Sequence, residues 1–146
     1  MTTGPEYDLE KLAKELVVGR LKGDADAPVR AAELARRTAV AAVASTRARQ
    51  DPRLTIVAVC RGAMGGILLL DQSLPAAAVA LLSQMATLAQ EANLDPADCM
   101  TWAMQGIAPV CRLAPAGAAD AVQSAIDENF MGAGAVFGEI LQAAGR

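Results

Sequence analysis

Apolar side chains recur along this chain at helical spacing, in blocks that open on a short polar residue and often a proline. Leu9, Leu12, Leu16 and Val17 fall on one face of a first block, with Lys11, Lys14 and Glu15 on the other. Asp8 opens that block, and it ends near Gly23. Asp26-Ala27-Pro28 opens a second block running to about Arg49, and Asp51-Pro52 opens a third. Ser73-Leu74-Pro75 opens a fourth that stops at Asn93, and Asp95-Pro96 opens a fifth that reaches about Arg112. Ala114-Pro115 precedes a sixth, which runs toward the C-terminus. A capping side chain satisfies a free N–H of the first turn, and proline fits where its missing N–H costs nothing. The pattern predicts an all-α protein, a compact bundle of five to seven helices in a single domain spanning residues 1–146. The sixth block has a soft spot at Asn129–Gly134, which either breaks it in two or kinks it. Gly134 and Gly138 offer a close-contact face there.

The third block, about residues 52–71, is the centre of this prediction. Between Leu54 and Leu70 its one charge is Arg61, and apolar residues surround the helical wheel. The β-branched run Thr55-Ile56-Val57 admits a rival, a hairpin over residues 54–70 turning at Gly62–Gly66. The Asp51-Pro52 start favours helix. Ala58, Gly62 and Gly66 then form a smooth face for close helix packing, which must offset about 1 kcal/mol per glycine. Cys60–Gly66 lacks the Lys-Ser/Thr of a P-loop and the order of a dinucleotide fingerprint, so packing is the better reading.

Composition adds three constraints. Hydrophobic residues are 53% of the chain and aromatics 3%, so the core is built from small side chains and needs long, close helix contacts. The net charge is −3, but arginines 30, 36, 37, 47, 49 and 53 crowd the stretch from Ala27 to Arg53. Beyond Leu54 the chain carries too few charges to give every helix a solvated face, which predicts a homo-oligomer, a dimer or higher. Cys60, Cys99 and Cys111 show no CxxC spacing and Met1–Tyr7 is short and polar, so a reducing cytoplasm is expected. Residues 54–70 fall just short of a membrane span by this reading, although with Leu74–Ala89 they would make an inserting hairpin.

Candidate chemistry is sparse. There is no histidine, which removes Ser-His-Asp and Cys-His catalysis and most zinc and haem sites. Cys60 with Met64, and Cys99 with Met100 and Met104, would suit Cu(I). Such residues are ordinary core fillers, so no metal and no cofactor are expected. Asp71, Asp98, Asp120, Asp127 and Glu128 show no pairing suited to acid–base work. Arg61 is expected to be buried against an acid, either Asp71 or one on the sixth block, with snorkelling to the surface and anion or ligand binding as the alternatives. Trp102 is expected as a core anchor with its N–H bonded, or as a ligand-stacking surface. Glu33–Val40 resembles the first helix and turn of a helix-turn-helix, but Ala39 stands for the turn glycine and Ser45 for a branched apolar residue. Glu33 and Arg37 are expected to pair at i, i+4.

The leading expectation is a non-catalytic interaction or regulatory module, not an enzyme, that self-associates and meets an acidic protein partner through its arginines. Two alternatives stand beside it. One is a small-molecule-binding protein or enzyme with an apolar cavity near Arg61, Met64 and Trp102. The other, the less favoured, is a DNA-binding regulator using Arg36, Arg37, Arg47 and Arg49.

Overall fold

A computed structural model describes residues 8–44 and 51–144. Seven α-helices and no strands occur among them: α1 Leu9–Leu21, α2 Ala27–Ala44, α3 Pro52–Leu69, α4 Leu74–Ala92, α5 Pro96–Leu113, α6 Ala118–Asn129 and α7 Ala133–Ala144. The protein is an all-α bundle. Residues 54–70 are helix, not hairpin.

The caps act largely as their sequences dictate. Asp8 accepts from the Lys11 N–H, Asp51 from Arg53 and Ser73 from Ala76. Asp95 accepts from both Ala97 and Asp98. Two starts differ. Asp24, not Asp26, supplies the carboxylate ahead of α2, accepting from the Asp26 N–H at 2.8 Å and pairing with Arg30. At α6 the N-cap is Gly117, with φ of 92° and no side-chain cap bond. The soft spot resolves both ways: Gly132, at φ of 87°, separates α6 from α7, and Gly134 and Gly138 then form a close-contact face against α6.

Helix α3 lies at the centre, packed by α1, α2, α4 and α5. Two of its neighbours approach at main-chain distance. A Cβ on Gly62 would run into the backbone carbonyl of Glu10 on α1, and one on Gly66 would stand 2.7 Å from Val17 Cβ. From another side, Gly106 of α5 sits so close that its Cβ would be 2.5 Å from the Val57 carbonyl oxygen. Gly62 and Gly66 of the smooth face expected on α3 are therefore the seat of α1, Ala58 lies half-covered in the strip beside them, and α5 brings a glycine of its own. Helix α3 is long and apolar enough to cross a membrane by length and composition, with mean hydropathy 1.4, and half of it is buried inside the bundle. Its open strip is Leu54, Arg61 and Leu69, with Ala58 and Gly65 half-covered between them.

The C-terminal helices close the other side. Helix α7 packs on α5 and α6 through Phe137, fully buried, and Leu141. The Arg112 guanidinium at the end of α5 donates to the Leu141 carbonyl at 2.5 Å. Helix α4 packs on α2, α5 and α6, with α3 touching it less.

Candidate interaction surface

Helix α4 buries Leu74, Ala77, Ala78, Leu81, Leu82, Met85, Leu88 and Ala89. Its opposite side shows Ala76, Ser83, Ala86, Thr87 and Gln90 to solvent, with Val79 and Ala80 half-covered. No charge occurs between Asp71 and Glu91, so this exposed side is neutral as far as Gln90; Glu91, at its C-terminal end, is exposed and paired with Arg36. A groove of about 500 Å³ runs along it. Its floor is Pro75, Ala76, Val79, Ala80, Ser83 and Gln84; one wall is Val29 of α2, the other Ala125 and Asn129 of α6. Val29 is 53% exposed, a large apolar side chain left open at the rim. The Ser83 hydroxyl donates to the Val79 carbonyl of its own helix, which leaves little polarity facing outward. The groove suits a helix or a flat apolar face, and contains no acid–base or nucleophilic pair.

A second groove, about 680 Å³, lies over α1. Asp8, Glu10, Lys11, Lys14 and Glu15 dominate its lining, with Val18, Gly19 and Leu69. Charges of both signs make it a solvated surface.

The residues singled out by sequence scatter over the molecule. Arg61 is not buried against Asp71 or α6: it is 46% exposed and its Nε lies 3.5 Å from the equally exposed Glu10 carboxylate on α1. Gly62 explains this. The glycine faces inward onto α1, and its neighbour is turned about 100° away, into the open strip. Such a pair contributes little, so Arg61→Leu is expected to change stability by no more than about 0.5 kcal/mol in urea unfolding. Met64 is fully buried, and Trp102 is partly buried against the core with no hydrogen bond on its indole N–H among the described residues. The expected N–H bond is absent there. Neither groove includes Arg61, Met64 or Trp102.

The arginines of α2 divide. Arg36 donates from Nε to Gln84 at 2.7 Å and from Nη1 to Glu91 at 2.6 Å, and only 19% of its side chain is exposed. It clamps α2 to α4, so it is not free to reach a nucleic acid or an acidic partner. Arg37 is exposed and makes no ion pair among the described residues; the expected Glu33 pairing is not formed. Arg47 and Arg49 lie outside the described residues.

All three cysteines are free and buried. Burial pushes the Cys60 thiol up to about 12, with Cys99 adding to it, and the Cys111 thiol up to about 11. Burial, then Asp98 and Asp95, raise Cys99 as well. These thiols hold their protons at neutral pH, the opposite of what a nucleophile or thiolate ligand needs. Among the described residues no cluster of three metal-binding side chains occurs. The sign of the resulting pH dependence is fixed. An unfolded cysteine ionises near 9.0 while folded Cys60 waits until about 12, so its contribution is intact below pH 9 and lost between those values. Chemical denaturation from pH 8 to 11 should show stability falling, and Cys60→Ala should flatten that fall.

Sequence reasoning missed the residues of the α4 groove. The signal was the absence of charge from Gln72 to Gln90, which speaks of the helix as a whole and not of its exposed side. No family model, curated protein or solved structure matches this chain.

Proposed function

We propose that this protein is a non-catalytic helical module that works by self-association. The observation that supports the reading is the neutral, solvent-facing side of α4, set between α2 and α6 as an open apolar groove. Surface helices of monomeric proteins carry charge on their outward face, and a neutral one that is also grooved is the mark of a contact surface. The three protonated, buried thiols and the absence of histidine add no catalytic chemistry. We read α3 as the core helix of a bundle, since α1, α2, α4 and α5 all pack on it. Native mass spectrometry of protein purified without added ligand tests the reading. Whole multiples of the bare 15.0 kDa polypeptide support it, and a monomer carrying a reproducible extra mass would replace it with a ligand-binding role.

A further inference from the structure

We propose that α6 and α7 open as one hinged unit, swinging away from α4 and α5 about residues 114–117 while α1 to α5 stay folded. The motion lies inside one chain and is independent of self-association. Three features point to it.

The first is the order of contacts. Among the described residues every helix packs only on helices one or two places away in the chain. The odd helices α1, α3, α5 and α7 make one row, and the even helices α2, α4 and α6 make a second. In such an array each unit is held by its neighbours alone, as in repeat proteins, so an end can leave without disturbing the far side. Helices α6 and α7 touch only each other, α4 and α5.

The second is that the two ends are fastened differently. At the N-terminal end, α1 sits at main-chain distance on Gly62 and Gly66 of α3, and Arg36 clamps α2 to Gln84 and Glu91 of α4. At the C-terminal end, one hydrogen bond among the described residues joins the pair to the rest, from Arg112 to the Leu141 carbonyl. Helix α6 buries two residues and α7 three, against nine in α3 and eight each in α4 and α5. Between themselves α6 and α7 are tied closely. Gln123 donates to the Gly134 carbonyl at 2.9 Å, and the Gly134 N–H donates to Asp127 at 3.2 Å. A Cβ on Gly134 or Gly138 would run into those same two side chains. The pair therefore moves as one body.

The third is the joint. Helix α5 ends at Ala114 in extended backbone, Pro115 follows, and Gly117 holds φ of 92°. Helix α6 begins there without the side-chain cap bond that starts α1, α3, α4 and α5. No cap has to break when α6 turns. Opening carries Ala125 and Asn129 away from the α4 groove, whose wall they form, so the groove is complete only in the closed form.

Native-state hydrogen exchange of the unmodified chain in low urea, read peptide by peptide, tests this. Amides of α6 and α7 should exchange through a common opening, populated at least about tenfold more than the one that releases α3 and less dependent on urea. Gly117→Ala strains left-handed backbone in the closed form only, and should speed exchange in α6 and α7 about fivefold or more while α3 is unchanged. Gly23→Ala, at φ of 80° between α1 and α2, should leave α6 and α7 as they were. One urea dependence shared by α3, α6 and α7 would overturn the hinged unit, and so would an equal effect of Gly117→Ala on α3. Exchange of α7 without α6 would overturn the single body.

Discussion

Gly62→Ala is expected to cost about 3 kcal/mol or more, a large part of the roughly 5–15 kcal/mol that holds a domain of this size together. The added methyl would have to share space with the Glu10 main-chain carbonyl on α1. A side chain in the way could change rotamer; a carbonyl held in a helix cannot. Relief requires α1 to lift from α3, which opens the seat of Ala13 and Val17 along the same contact. Gly66→Ala meets Val17 Cβ at 2.7 Å and should behave in the same direction. Gly65→Ala is the internal control. Its Cβ would stand 3.8 Å from Lys14 Cδ, an ordinary contact with a flexible stem. There the gain in helix propensity, about 1 kcal/mol at most, should show as a small rise in stability. Urea unfolding followed by circular dichroism reads all three. Equal effects at Gly62 and Gly65 would remove the close α1–α3 contact from the account.

Phe137→Ala is the other large effect, expected at about 3–5 kcal/mol. Phe137 is the largest fully buried side chain among the described residues, in a core otherwise made of alanine, aliphatic, methionine and cysteine side chains. Among the described helices α7 touches only α5 and α6, and its remaining buried residues are Gly134 and Leu141. Without the ring, α7 is left with Leu141, the half-buried Ile140 and three hydrogen bonds, from Arg112 to the Leu141 carbonyl, from Gln123 to the Gly134 carbonyl and from the Gly134 N–H to Asp127. The loss should therefore be local first. Hydrogen exchange of the variant should show α7 amides losing protection while α3 and α4 amides keep theirs. Uniform loss across all helices would mean that α7 unfolds only with the rest.

Much of the fold was legible because its signals are local. Asp51-Pro52, Ser73-Leu74-Pro75 and Asp95-Pro96 are caps that act within one turn, and they set helix starts without reference to the rest of the chain. The spacing of Gly62 and Gly66 announced a close contact for the same reason. What it did not announce was the partner, since a face without Cβ atoms fits any helix of suitable shape. Arg61 misled because hydropathy reports an average around the helix. A helix covered on most sides still leaves a strip, and Leu54, Arg61 and Leu69 occupy it. The role of Arg36 was out of reach: Gln84 and Glu91 lie 48 and 55 residues away, and nothing local marks them. The α4 groove was half legible. Scarcity of charge pointed to association, but only the packing of α2 and α6 beside α4 turned that scarcity into a place.

The measurement that bears most directly on the central claim is sedimentation equilibrium of the unmodified chain across the micromolar range, with Ala80→Glu beside it. Ala80 lies on the groove floor, and a carboxylate there would be desolvated against a neutral face. The account predicts that the wild-type mass rises with concentration from 15.0 kDa toward twice that value, while the variant keeps its fold and stays at 15.0 kDa. A wild-type chain that remains at 15.0 kDa throughout would contradict it.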